Sequence, residues 1–336
     1  MLVLLAAGCT AEVAPVDMPG PKQERSRRPA TVASEPSKAP APNEASTTVL
    51  AYAKKTALRG YDVGSGKDYM LRAVPGPDVT LSPDGTRLAI VRDKDPGADP
   101  EGFADPYLSV AGVSGPSGEQ AETELGPGRS AYWSADGRRI AAVTGDGVVV
   151  YDVAQGGSST VLAGQGWVVL GWSGGRVVAI GDETTVLAGP DDTEDLGISP
   201  ITLWGVSPAD DTALVVEGAR PFLVRDRQRT DIDVSVAIGD GAWSPDGSLI
   251  AAVRHGPGAS RVITIDAATG ATREVEDSRG AQGNVVWSED SRRFAFVRVD
   301  PNDNLALQAV ICELDGPCEP AFTWNQGVLL LGFAAI

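Results

Sequence analysis

The 336-residue sequence contains a single histidine, His255, and only three cysteines. One histidine argues against the multi-ligand sites that hold zinc or a catalytic metal-bound water, and no Gly-x-Ser-x-Gly elbow for a serine nucleophile is expected. No apolar run reaches the roughly 18 residues of a membrane-spanning helix. Basic residues are scarce, 28 against 45 acidic ones, for a net charge of −17. This balance excludes a nucleic-acid binder, which needs clustered Lys and Arg to neutralise phosphates.

The first nine residues indicate where the chain resides. An apolar start ends in Leu4-Leu5-Ala6-Ala7-Gly8-Cys9, and small residues before such a cysteine resemble the lipobox of bacterial lipoproteins. The resemblance implies that Cys9 receives a diacylglycerol, becomes the first mature residue and anchors the chain to the outer face of the cell membrane. The alternatives are an ordinary secretory cleavage site and a fragment of a buried strand. The sequence departs from the pattern of a signal segment in that the apolar stretch is short and no basic residues precede it.

Residues 10–47 have the composition of a tether. They are rich in Pro, Ala, Ser and Glu, and their five basic and five acidic residues cancel. Such a stretch buries too little apolar surface to offset the entropy of ordering, so we predict a disordered segment. The domain boundaries predicted from the sequence are therefore a signal segment 1–9, a tether 10–47 and a folded body 48–336.

The folded body repeats one short pattern, an apolar residue followed by Ser-Pro-Asp-Gly or a relic of it and then an apolar run. The repeats begin at Ser82, Ser134, Ser173, Ser207, Ser244, Ser288 and Asn325, at steps of 34 to 52 residues. Pro, Asp and Gly favour the tight bend of a hairpin, and the runs that follow are rich in Val, Ile and Ala. A period near 40 residues with four strand-sized pieces is typical of propeller blades.

Trp-Ser-Pro-Asp-Gly followed by an apolar strand resembles the repeat of TolB-like, WD-repeat-like β-propellers of the bacterial envelope. The resemblance covers residues 48–336 and implies an all-β propeller, with seven four-stranded blades expected and six or eight left open. We expect strands from both ends of the chain to share one blade, with 321–324 as its inner strand; the run 328–333 has no place in this scheme. A periodic Trp is expected to pack between blades, and the repeat aspartates to cap turns.

The two remaining cysteines are predicted to pair. Cys312 and Cys318 flank a turn-forming stretch, and with Cys9 lipidated they form an even pair in an oxidising compartment. A disulfide between them would fix the outer hairpin of the last blade.

An acidic rim is the candidate binding surface. Loops after the second strand of each blade open on the same side as the connections between blades, and there we place Asp93, Asp95, Asp99, Glu101, Asp105, Asp146, Asp182, Glu183, Glu217, Asp300 and Asp303. The candidate binding residues among these are Asp93, Asp95, Asp99, Glu101, Asp105, Asp300 and Asp303. Such a rim could bind a cationic partner or simply keep the protein soluble. Two sequence motifs resemble calcium-binding loops, at 93–99 and 300–304, but both lack the glycine and the distal glutamate of such a loop. We therefore expect no cofactor, with bound calcium as the alternative.

These observations favour a lipid-anchored, monomeric, non-enzymatic propeller that binds an envelope protein or a cationic ligand through its acidic face. A sensory or solute-binding component of an envelope system is one alternative, and a propeller hydrolase or lyase is another. His255, just after a strand and before a Gly-Pro-Gly loop, is the residue on which a catalytic alternative would depend.

Overall fold

The structure is a computed structural model that describes residues 48–54, 57–73, 78–94, 106–113, 122–218, 220–234, 238–256, 258–325 and 327–335. The chain divides into two units, Met1–Glu44 and Ala45–Ile336. Every regular element of the described residues is a β-strand, and none of them forms a helix able to cross a membrane. Cys9 and the tether 10–47 lie outside the described residues, so both stay predictions.

Seven four-stranded antiparallel sheets form the blades of a propeller. Blade 1 contains β1 (Thr48–Lys54), β2 (Ala57–Asp62) and β3 (Lys67–Ala73), together with a fourth strand from the far end of the chain. Blade 2 contains β4 (Val79–Leu81), β5 (Arg87–Asp93), β6 (Pro106–Gly112) and β7 (Thr123–Pro127). Blade 3 contains β8 (Tyr132–Trp133), β9 (Arg139–Thr144), β10 (Gly147–Asp152) and β11 (Ser158–Ala163).

The second half of the chain repeats this order. Blade 4 contains β12 (Val168–Ser173), β13 (Arg176–Ile180), β14 (Thr185–Ala188) and β15 (Thr193–Asp195). Blade 5 contains β16 (Leu203–Val206), β17 (Ala213–Glu217), β18 (Arg220–Arg225) and β19 (Gln228–Asp231). Blade 6 contains β20 (Ile238–Trp243), β21 (Leu249–Arg254), β22 (Arg261–Asp266) and β23 (Thr272–Glu274). Blade 7 contains β24 (Ala281–Trp287), β25 (Arg293–Asp300), β26 (Asp303–Glu313) and β27 (Cys318–Trp324).

Strands from both ends of the chain share blade 1, as predicted, but the C-terminal strand is a different segment from the predicted one. The last strand, β28 (Val328–Ala335), pairs antiparallel with β1 and forms the inner strand of blade 1. The prediction that 321–324 would close the ring was wrong, because those residues lie in β27, the outermost strand of blade 7. The prediction failed because the sequence around Trp324 resembles a repeat turn, whereas Trp324 in fact ends an outer strand. Seven blades are confirmed.

Packing between blades holds the ring together. The side chains of the two middle strands are buried against neighbouring blades, as in the clusters that join blades 1 and 2 or blades 6 and 7. Three repeat indoles donate to a carbonyl of the preceding blade: Trp133 to Thr80 (3.3 Å), Trp172 to Tyr132 (2.8 Å) and Trp287 to Ala242 (2.9 Å). The periodic Trp is therefore a packing residue on these inner strands.

An arginine two residues after the repeat turn makes a second link between blades. Arg87 lies 5.3 Å from the ring of Trp133 in the next blade and donates to Gly137 O at 2.8 Å. Arg139 repeats this arrangement with Trp172 and Gly175 in the following blade. Each arginine thus covers the indole of its neighbour and satisfies a carbonyl of that neighbour's turn.

Candidate functional site

The propeller has two faces of different chemistry. The loop face carries the loops between the second and third strands of each blade and the connections between blades. The turn face carries the repeat turns and the turns between third and fourth strands. This division follows from the antiparallel order, since each strand reverses the direction of the one before.

Most carboxylates of the turn face are parts of turns. Ser244 Oγ donates to Asp246 Oδ1 at 2.6 Å, and the same carboxylate accepts the amide of Ser248 at 3.0 Å. The serine–aspartate bond recurs in the repeat turns of blades 2, 3 and 7. Burial alone would raise the pKa of Asp246, but the hydrogen bonds from Ser244 and Ser248 outweigh it and lower that pKa below its usual value. These charges serve the fold.

The structure places the described part of the predicted acidic rim on the loop face. Asp93 ends β5, and Asp300 and Asp303 flank the turn between β25 and β26. Asp146, Asp182, Glu183 and Glu217 lie in the corresponding turns of blades 3, 4 and 5, and all four are exposed. Asp95, Asp99, Glu101 and Asp105 lie outside the described residues.

Within this set, Asp300 has a structural role in the turn between β25 and β26. Its side chain is buried, and its carboxylate accepts the amide of Asn302 at 2.8 Å and the hydroxyl of Thr323 at 3.3 Å. Thr323 in turn contacts Gln308, to which Arg298 donates at 2.7 Å. The motif Asp300-x-Asn302 thus belongs to a turn that is capped by the Asp300 side chain. Among the described residues, no cluster of three His, Cys, Asp or Glu side chains could hold a metal ion.

Exposed aliphatic side chains are the feature of the loop face that the sequence did not reveal. Ile201, between blades 4 and 5, is 93% exposed, and Leu305, near the start of β26, is 83% exposed. Val168 and Leu170 at the start of β12 and Leu329 at the start of β28 are also exposed. β12 and β28 are inner strands, so these three residues lie at the mouth of the central channel, on blades separated by two others.

The other large exposed hydrophobic residues of the described chain, Tyr69 and Met70, lie on β3 at the circumference. Among the described residues, the large aliphatic side chains that are exposed thus lie on the loop face and not on the turn face. The exposed aliphatic side chains of the loop face are spread around the ring, in blades 1, 4 and 7 and in the connection between blades 4 and 5.

The loop face also carries positive charge. Lys54 and Arg220 are exposed at turns between second and third strands, and the exposed Arg129 and Arg279 lie in connections between blades. Arg261 pairs with Glu274 at 2.9 Å, and Arg254 pairs with the same carboxylate. The face is therefore a mixed surface with an excess of carboxylates rather than a uniformly negative mouth.

His255 lies on the loop face, where its Nδ1 is 3.0 Å from Ser260 Oγ. No carboxylate hydrogen-bonds this imidazole among the described residues, so the orienting group of a nucleophile–base arrangement is missing there. The motif Gly-x-Ser-x-Gly does occur once, at 171–175, so the expectation that the sequence lacks it was wrong. Ser173 is fully buried, and its hydroxyl donates to Asp210 O at 2.6 Å, which makes it a linker between blades 4 and 5.

The disulfide is present as predicted. Cys312 at the end of β26 is bonded to Cys318 at the start of β27, and Cys312 is completely buried. The bond closes the outer hairpin of blade 7 on the turn face.

Known structures match the chain at the level of the fold. A prolyl endopeptidase matches with TM-score 0.57 and 15% identity over 86% of this chain and 50% of that one. An oligogalacturonate lyase from Vibrio parahaemolyticus matches with TM-score 0.54 and 13% identity, over 82% of this chain and 85% of the other. The periplasmic gluconolactonase of Pseudomonas aeruginosa matches with TM-score 0.53 and 16% identity, over 86% and 99%. No protein-family model and no curated protein sequence matches.

TolB proteins are also among the structural matches; that of Acinetobacter baumannii has TM-score 0.49 and 16% identity over 84% of this chain and 80% of the other. The chain is a seven-bladed β-propeller in architecture. The matched proteins include peptidases, a lyase and a gluconolactonase, and their sequence identities to this chain are too low to indicate a shared function. The comparison therefore shows only that they share the propeller fold with this chain.

Proposed function

We propose that this protein is an extracytoplasmic β-propeller that binds another envelope protein through its loop face and catalyses no reaction. The observation that carries the proposal is the set of exposed aliphatic side chains on that face, above all Ile201 and Leu305. Water-exposed side chains of this size cost solubility, and their burial by a partner would remove that apolar area from water.

Charge supports a partner with a basic surface. Asp146, Asp182, Glu183 and Glu217 are exposed on the same face as the aliphatic residues, while the protein as a whole carries a net charge of −17. A basic partner would be steered to this face, and the association should slow as salt rises because exposed charges are screened.

An extracytoplasmic location is supported by the disulfide between Cys312 and Cys318, since such bonds persist in oxidising compartments. A lipid anchor at Cys9 rests on the lipobox-like sequence alone. Replacing Cys9 with Ala should release the protein from the membrane fraction, because stable anchoring requires the acyl chains that this cysteine would carry. Retention of a correctly processed variant in that fraction would contradict the anchor.

The test of the binding face is a pair of charge insertions. The double variant Ile201→Asp, Leu305→Asp places a charge at each exposed aliphatic position, where burial against a partner would become unfavourable. We expect its cross-linked partners in intact cells to be lost while its melting temperature stays unchanged. Met70→Asp is the matched control, since Met70 is 63% exposed but lies on the circumference. Equal partner capture by the double variant and the control would contradict the proposal.

A further inference from the structure

A cavity of about 270 Å³ opens on the turn face between blades 3 and 4. Its polar walls include Arg139, Asp152 and the hydroxyl-bearing Ser158 and Ser159, and Trp172 forms part of its floor. Its size is at the lower end of ligand-binding pockets, which suits a small molecule. It lies on the opposite face from the proposed partner surface.

The cavity exists because blade 4 departs from its own repeat. In the regular blades, the residue after the third strand donates its amide to the carbonyl before the second strand, as Val153 does to Arg138 O and Ala267 does to Ser248 O. This bond folds an apolar side chain under the blade. In blade 4 the residue after the third strand is Gly189, whose amide donates to Asp192 O at 2.8 Å instead, and the next residue, the exposed Pro190, has no amide hydrogen to donate. The space that the folded side chain would fill is left open.

The charged groups at the cavity are adjacent but do not pair with each other. Arg139 and Asp152 are direct partners across β9 and β10. The Arg139 guanidinium lies 4.8 Å from the centre of the Trp172 ring and donates to Gly175 O at 3.2 Å, and it forms no ion pair among the described residues. Asp152 uses Oδ1 to accept the amides of Ala154 and Gln155, while its Oδ2 has no described hydrogen-bond donor.

By contrast, the next arginine along, Arg176, is fully matched by carboxylates. It pairs with Glu194 at 2.8 Å and Asp211 at 2.7 Å. Arg139 is thus the arginine of this region whose positive charge faces a cavity, with an unpaired carboxylate oxygen beside it. The remaining walls are aliphatic, formed by side chains such as Val150, Val161 and Val177.

We propose that this cavity binds a small aliphatic amino acid. The carboxylate of the ligand faces Arg139, its ammonium group faces Asp152, and its side chain lies against the valines. Hydrogen bonds to charged groups are the stronger ones, so these two contacts would dominate the affinity. A zwitterion also meets no net repulsion from a protein of charge −17, whereas a simple carboxylate does.

The test uses three probes of one shape: L-valine, isovalerate and isobutylamine, titrated into the full-length protein by calorimetry. We expect L-valine to bind more tightly than either isovalerate or isobutylamine, because each of these keeps only one of the two charged contacts. Arg139→Gln should weaken L-valine at least about tenfold. Arg87→Gln is the matched control, because Arg87 makes the same stacking and carbonyl contacts one blade earlier and does not line the cavity. It should leave L-valine binding unchanged.

A second variant keeps the test valid if Arg139→Gln fails to fold. Val161→Phe adds bulk from the partly exposed β11 and should abolish binding by filling the cavity without touching the charged pair. Absence of L-valine binding to the wild type, binding unchanged in Val161→Phe, equal loss in Arg87→Gln, or isobutylamine binding as well as L-valine would each overturn the proposal. None of these outcomes bears on partner binding at the loop face.

Discussion

At the scale of single residues, the repeat turn depends on a carboxylate held by its neighbours. In blade 7, Asp290 accepts the hydroxyl of Ser288 at 2.6 Å and the amide of Arg292 at 3.1 Å, so one side chain organises the whole bend. The amide of Arg293 then donates back to Ser288 Oγ at 2.9 Å. These mutual hydrogen bonds between serine, aspartate and the backbone explain why serine and aspartate recur in repeat turns that lack Pro or Gly.

Removing one such carboxylate should cost measurable stability. We expect Asp246→Ala to lower the free energy of unfolding by about 1 kcal/mol, since the turn loses the bonds to Ser244 and Ser248. Urea denaturation measures the change. Asp191→Ala is the control, because Asp191 is exposed in a turn and has no described hydrogen bond. Equal losses in the two variants would show that these hydrogen bonds contribute nothing specific.

The same carboxylates predict a loss of stability in acid. Burial would raise the pKa values of Asp84, Asp136, Asp210, Asp246 and Asp290, but hydrogen bonds to the ionised form outweigh it and lower them. An unfolded aspartate has a pKa of about 3.9. The stabilisation is therefore complete well above that pH and is lost as the pH falls through the lower folded-state values.

Urea midpoints measured from pH 7 down to pH 3 should show this loss. Asp246→Asn should show a smaller acid-induced decrease than the wild type, because one of the linked carboxylates is gone. A decrease of the same size in both proteins would contradict the role assigned to Asp246.

At the scale of elements, most of the architecture could be predicted because the repeat is local. A hairpin turn followed by an apolar strand is encoded within a few residues, so the inner and second strands of blades 2, 3, 6 and 7 could be read directly. The sharing of one blade by strands from both ends of the chain was also predicted, but the closing segment was not, because the pairing that closes the ring joins residues about 280 positions apart, such as Leu50 and Phe333. The outer strand β27 ends in Trp324, which resembles the Trp of a repeat turn, whereas the closing strand β28 carries no repeat motif.

A clasp between blades 7 and 1 makes closure testable. Asn284 adopts a left-handed backbone conformation (φ 51°) in β24 and bonds twice to Leu330 of β28, accepting its amide at 2.7 Å and donating to its carbonyl at 3.2 Å. Asn284→Gly removes both bonds while Gly tolerates the backbone conformation. We expect a loss of about 1 to 3 kcal/mol in the free energy of unfolding.

Asp277→Gly is the matched control for this variant. Asp277 is exposed and also has a positive φ (57°), so glycine relaxes the backbone there without removing a clasp. Its stability should be unchanged or slightly higher. If Asn284→Gly behaves in the same way in urea denaturation, the clasp does not contribute to ring closure.

At the scale of the whole molecule, the candidate site could be predicted only in part. Asp93, Asp300 and Asp303 lie at the loop-face ends of their strands, a position that follows from strand order. The sequence could not foresee that Asp300 is buried, since its partner Thr323 lies two strands away. Nor could it identify Ile201 and Leu305, which resemble core residues in the sequence and are exposed only because of where the loops leave the ring.

The central claim, that the loop face is the binding surface, is tested most directly by site-specific photo-cross-linking in intact cells. A photoreactive residue is placed singly at Ile201 and Leu305 on the loop face, and at the exposed Gln155 and Ala268 on the turn face. We predict a discrete cross-linked partner from both loop-face positions and none from the turn-face positions. A partner captured only from Gln155 or Ala268 would contradict the claim.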